Sequence, residues 1–119
     1  MAFYNHVQLL GRCGHDIRTT SLSDGSRIAR FRLYLDAPVG HGETAAQVHH
    51  LIAWNGVATQ LERSVQRGDR LLVQGRLLNR TRDRNGSTVR VTEIHVAHFA
   101  RLQGSGRPQT QGFESLIHE

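Results

Sequence analysis

Lysine is absent. The 119-residue chain carries fifteen fixed cations, all arginine, against ten acids, for a net charge of +5 with its eight histidines neutral. Cysteine occurs once, at Cys13, which excludes an internal disulfide and any multi-cysteine zinc module. The simplest compartment for such a chain is a reducing cytoplasm. The two prolines, Pro38 and Pro108, both lie outside the apolar runs. No run approaches the roughly 18 apolar residues of a membrane span, and the first residues lack the charged-then-apolar pattern of a secretory signal. Nucleophile-elbow, phosphate-loop and HExxH motifs are also missing, and Cys13 has no base partner in sequence. The chain therefore reads as a non-enzyme that takes no cofactor.

What is present suits one compact domain. The hydrophobic set is 38% of residues, and twelve glycines bring the total near the usual globular fraction. Basic charge without an amphipathic basic helix points to nucleic acid sooner than to a membrane surface. Alternation marks strands at Tyr4 to Arg12, Arg27 to Asp36 and Val48 to Trp54, with a loop from Pro38 to about Ala46. Val57, Ala58, Leu61 and Val65 fall at helical spacing, which predicts a helix from about Gly56 to Arg67, capped by Asn55 and stopped at Gly68. Leu71, Val73, Gly75 and Leu77 mark the core face of a fourth strand. Asp83-Arg84-Asn85-Gly86 reads as a hairpin turn, and Thr88 to Val96 returns as a fifth strand with a bulge expected near Thr92-Glu93. Three strands, one helix and a two-stranded hairpin match the all-β, five-stranded oligonucleotide/oligosaccharide-binding (OB) barrel, with its single helix between strands three and four. Residues 1–102 make this domain, and 103–119, rich in Gly, Gln and Ser, are expected to form a mobile tail.

The face opposite the core carries the chemistry. It presents Arg30, Arg32 and Tyr34 on the second strand and Gln74, Arg76, Arg80 and Arg82 on the fourth, with Arg84 and Arg90 across the hairpin. A guanidinium offers both a fork for phosphate and a plane that stacks on bases. Interleaved with Tyr34 and Trp54, these arginines form the charged groove with stacking platforms that single-stranded nucleic acid needs. An ordinary solvated strand face is the alternative. Against it, Arg63 to Arg90 contains eight arginines and only two acids. Trp54, the single tryptophan, divides evenly on pattern between core packing and exposure. His49 and His50 are adjacent and face opposite ways on a strand. His95 and His98 are also expected on opposite faces, so neither pair predicts a metal site.

Taken in order, the motifs resemble the bacterial single-stranded DNA-binding protein family. Asn5-His6-Val7-Gln8-Leu9-Leu10-Gly11 followed by Gly14-His15-Asp16 is similar to the family's N-x-V-x-L-x-G and G-x-D opening. Asp24-Gly25, Ala29-Arg30-Phe31-Arg32-Leu33, and His49 ahead of Ile52-Ala53-Trp54-Asn55 continue the likeness. Arg67-Gly68-Asp69, Val73-Gln74-Gly75-Arg76-Leu77, Asp83-Arg84-Asn85-Gly86 and Thr92-Glu93-Ile94 complete it, over residues 4 to about 102. The resemblance implies an OB fold assembled as a homodimer or homotetramer. It also implies sequence-tolerant binding of single-stranded DNA in replication, repair or recombination. It assigns Trp54 to base stacking and His49 to subunit contacts.

Two departures stand out. The family's further tryptophans are missing: the loop after the second strand holds His41, and the hairpin has Thr81-Arg82. The acidic, phenylalanine-ending tip is also missing, since the chain reads Phe113-Glu114-Ser115-Leu116-Ile117-His118-Glu119. Both would suit a phage, plasmid or accessory paralogue, with stacking passed to arginine. A primosome-type OB accessory protein acting through replication partners is the runner-up reading. An OB domain that binds no nucleic acid is the third.

Overall fold

The computed structural model describes residues 3–102. Its elements are β1 (Val7–Cys13), β2 (Thr19–Ser21), β3 (Arg27–Gly40), β4 (Glu43–Trp54), α1 (Asn55–Ser64), β5 (Arg70–Arg84) and β6 (Ser87–Leu102). The sheet runs β1-β5-β6-β4-β3-β2, and a further β1–β3 pairing closes five of the strands into a ring. β4 and β6, which the chain joins through α1 and β5, are parallel, and every other pairing is antiparallel. This is the OB barrel expected from the strand order. The proposed tail lies outside the described residues.

Closure rests on β1 serving two neighbours. Val7 to Arg12 pair with β5, while Arg12 and Cys13 also pair with Tyr34 and Leu33 of β3. Gly11 sits where the partner changes, and a Cβ there would stand 2.6 Å from the Tyr34 carbonyl oxygen. Inside the ring, Ala29, Phe31 and Leu33 of β3 meet Leu51 and Ala53 of β4, Leu71 and Val73 of β5, and Ile94 of β6. Ala58, Leu61 and Val65 from α1 and its C-terminal cap join the same core. Each fully buried leucine contributes about 2 kcal/mol of transfer free energy.

Several local expectations are corrected. The helix ends at Ser64, not Arg67, because buried Val65 turns extended into the core. Beyond it the Gln66 and Arg67 N–H groups donate to the carboxylates of Asp69 and Asp16, so the chain leaves the helix for a turn. Asn55 does not cap α1. It adopts φ 51°, which asparagine tolerates, and its Oδ1 accepts from the Arg27 N–H at 3.0 Å. Residues 38–46 are not an open loop: β3 and β4 run on to a two-residue turn at His41-Gly42, both with positive φ, as a type I′ hairpin demands. Asn85-Gly86 makes the equivalent turn between β5 and β6, as the sequence predicts. β2 is a short addition, folded back through the turn in which Asp24 accepts from both the N–H and the hydroxyl of Ser26.

The bulge is displaced as well. The β5–β6 ladder is regular through Thr92-Glu93 and slips instead between Gln74 and Gly75, which face His98 and Val96, leaving Ala97 extra. The cause is Gly75. A Cβ on it would lie 1.9 Å from the His95 carbonyl oxygen, so only glycine lets the strands approach there. Gly75→Ala is expected to cost about 3 kcal/mol, the upper range for overpacking, as read by urea denaturation. Gly56→Ala, with open space around its Cβ in the first turn of α1, is the control and should be neutral or slightly stabilising. Equal midpoints for the two variants would contradict this account.

Candidate nucleic-acid interface

Cross-strand partners share a face, so the register assigns the outer surface residue by residue. Ile28 pairs with Trp54, Arg30 with Ile52, Arg32 with His50 and Tyr34 with Val48. Ile52 in turn lies beside His95, which pairs with Arg76. Along the same face of the hairpin, Arg80 opposes Val91 and Arg82 opposes Val89. One continuous outer surface thus runs from β3 across β4 and β6 to β5. Arg90 opposes Thr81 and falls on the other face of the hairpin, apart from the rest.

Four depressions mark this surface. A groove of about 490 Å³ between the barrel and the β5–β6 hairpin is lined by Arg30, Arg32, His50, Arg82 and Arg84, with Val89, Val91 and Glu93 on the hairpin side. Trp54 is not in it. Trp54 stands beside two further depressions, one with Arg18 and Arg30, the other with Arg76, His6, His95 and His98. The residue is 39% exposed, which decides the question left even by the pattern: it is not a core residue. Tyr34 lies farther along, with Arg12 and Arg70 around a separate depression. His49 opposes Leu33 on the inner side of the β3–β4 hairpin and is half-buried.

The expectation that His95 and His98 diverge is corrected. The extra residue Ala97 returns His98 to the outer face, so both imidazoles border the same depression. No group of three or more metal-binding side chains is assembled among the described residues.

Glu93 was not among the candidate residues, yet it organises the groove. Its side chain is 8% exposed. Oε2 accepts from Arg30 Nη1 at 2.6 Å and from Arg80 Nη2 at 3.2 Å, and Oε1 accepts from Arg80 Nε at 2.9 Å. Arg32, Arg76, Arg82 and Arg84 have no acid within ion-pair distance among the described residues. The signal in sequence was an alternation that puts one acid, after Val89 and Val91, on an otherwise basic face. Arg18, beside Trp54, was also missed, because it precedes the short β2 that brings it there.

Burial drives the Glu93 pKa up, but the hydrogen bonds from Arg80 and the charge of Arg30 outweigh it, and the net shift is downward. His95 is also lowered, first by burial and then by the nearby Arg76. Each group binds its proton more weakly folded than unfolded, so the unfolded chain takes up more protons and stability falls on acidification. The His95 contribution declines as pH drops below the ordinary imidazole value of about 6.5. The Glu93 contribution is complete above the ordinary carboxyl value of about 4.3 and is lost as pH falls through the lowered folded value. The thermal midpoint should therefore fall in two stages between pH 7 and pH 3. Glu93→Gln should flatten the second stage, leaving the part due to Asp24 and Glu62, whose side-chain pKa values are also lowered by hydrogen bonds. An unchanged acid limb in Glu93→Gln would contradict the assignment.

Comparison with known proteins agrees with this architecture. Residues 4–102 match the sequence model of the single-strand binding protein family. A single-stranded DNA-binding protein of Bacteroides thetaiotaomicron is 31% identical over an alignment covering 88% of this chain and 73% of that protein. One from Halalkalibacterium halodurans is 30% identical, covering 91% of this chain and 66% of its own length. A solved structure of a Plasmodium falciparum SSB in complex with ssDNA superposes with a TM-score of 0.79 over 87% of this chain and 98% of that one. At 21% identity it speaks for the fold alone. With a family match over nearly all of the described residues, the chain belongs to the single-strand binding protein family.

Proposed function

We propose that the chain binds single-stranded DNA with little regard to sequence and without catalysis, serving replication, repair or recombination. The observation that carries this reading is the outer face itself. Four arginines without acid partners among the described residues, Arg32, Arg76, Arg82 and Arg84, lie on one surface with a partly exposed tryptophan. Phosphates would engage the arginine forks while bases stack on Trp54, a division of labour that tolerates any sequence because every base has a flat face. Arg82, standing where the family carries a tryptophan, would add a guanidinium plane for stacking.

Arg30, Arg32, Arg76, Arg80, Arg82 and Arg84 supply six cations to this path, and Glu93 offsets one. Single strands lose about 0.7 log unit of affinity per log unit of salt for each phosphate neutralised, so the expected slope is about −3.5. Titration of labelled oligo(dT) across salt measures it, and a flat dependence would sink the arginine path. In the same assay Trp54→Ala should weaken binding by about 1–3 kcal/mol. A stability loss of about 3–5 kcal/mol, as for a buried tryptophan, is not expected of a partly exposed one.

Self-association completes the proposal, as a homodimer or homotetramer. It is supported by the outer edge of β1, which pairs with β3 only at Arg12 and Cys13 and so, among the described residues, leaves Val7 to Leu10 without a strand on that side. The half-buried His49 adds a second point of contact in this reading. Light scattering at micromolar concentration should give at least twice the chain mass, and a monomer mass would remove this part of the proposal.

A further inference from the structure

A buried carboxylate is out of place on a surface meant for phosphate. Glu93 is the one charged side chain that is buried among the described residues, and it lies under the face that carries the arginines. As a charge alone it would weaken binding, because it cancels one of the cations the strand would meet. As a stabilising device it is also a poor choice, since ion pairs withdrawn from water seldom improve on well-packed apolar groups. Its geometry suggests a different use. Arg80 meets it with two nitrogens of one guanidinium, Nε and Nη2, the fork arrangement that fixes a guanidinium in plane. Arg30 uses only Nη1, which leaves its Nε and Nη2 outside this contact. Arg30 also borders two depressions at once, the arginine groove and the one that holds Trp54 with Arg18.

We infer that Glu93 is a positioning residue for the bound strand: it holds Arg30 at the junction of the groove and the Trp54 depression, and Arg80 on the outer face of the hairpin. The inference rests on single-strand binding being the function. Both arginines are about half exposed, with side-chain exposures of 51% and 42%, and an unanchored arginine there would sample many rotamers. Anchored at the base, each presents its remaining N–H groups from a set position. The strand then finds part of its contact surface ordered before it arrives, which lowers the entropic cost of binding. Positioning and charge therefore predict opposite signs for the same substitution.

Glu93→Gln separates them. Charge alone predicts tighter binding, because the groove gains one positive charge. Positioning predicts weaker binding of labelled oligo(dT), by about tenfold, with a salt slope no steeper than that of the natural chain. Because Glu93 acts through two arginines, the loss should shrink to less than about twofold when Glu93→Gln is placed on Arg30→Ala/Arg80→Ala. Tighter or unchanged binding by Glu93→Gln would overturn the inference, and so would a full loss that persists without the two arginines. If Glu93→Gln does not fold, Glu93→Asp takes its place. It keeps the charge, withdraws the carboxylate by one methylene, and should weaken binding severalfold at unchanged salt slope; natural affinity in it would overturn the inference too. Absence of oligo(dT) binding by the natural chain would instead remove the functional reading and this inference together.

Discussion

The double pairing of β1 is the constraint on which the rest of the structure depends. A five-stranded sheet that stayed open would leave β1 and β3 as edges and would expose one side of its apolar face. By pairing with β5 along most of its length and with β3 at its end, β1 bends the sheet into a ring and encloses Phe31, Leu33, Leu51, Leu71 and Val73. The bend needs backbones closer than a side chain allows, which is why Gly11 stands at the change of partner. Gly75 does the same where β5 presses on β6. Enclosing one face leaves the other free for polar work, and its curvature places the β5–β6 hairpin across a groove from β3.

The outer face is assembled from strands far apart in the chain. Arg30 and Glu93 are separated by 63 residues, yet their side chains meet at 2.6 Å because β3, β4 and β6 lie side by side. The parallel β4–β6 pairing makes this possible, since it sets Ile52 beside His95 and so brings the β3 arginines level with Glu93. The helix α1 lies between β4 and β5 in the chain and contributes no residue to the arginine groove. The same register puts Arg90 on the far side of the hairpin from Arg82. Residues close in sequence are thus divided, while distant ones are joined.

Charge on this face is graded. Arg32, Arg76, Arg82 and Arg84 are unpaired cations among the described residues, whereas Arg30 and Arg80 share one carboxylate. The histidines add a second layer, with His15 and His50 at the groove and His6, His95 and His98 beside Trp54. His95 is depressed by burial and by Arg76, so it stays neutral where an exposed imidazole would begin to charge. A neutral imidazole next to Trp54 offers a flat ring and a hydrogen-bonding edge without the desolvation cost of a buried ion.

The sequence by itself determined the order of the five barrel strands and the helix, the Asn85-Gly86 turn, the core face of β3 and of β5 as far as Gly75, and the arginine-rich opposite face; Leu77, which the alternation assigns to the core, is exposed. Period-two alternation and turn chemistry are local properties, legible over five or ten residues. It also determined that Gly11 and Gly75 mark tight places, because glycine inside an apolar alternating run has little other use. What only the tertiary structure decided is which of those outward residues meet. The Ala97 bulge, which returns His98 to the face of His95, lies where Gly75 lets its strand come closer to a carbonyl on another strand than any side chain would allow. Trp54 reads equally well as core or platform until its strand is seen to end at the barrel rim. Glu93 carries no local mark beyond its sign, since its role is set by two guanidinium groups that arrive from β3 and β5. Pairing register between strands is a long-range choice made by the closed barrel as a whole, and no window of the chain contains it.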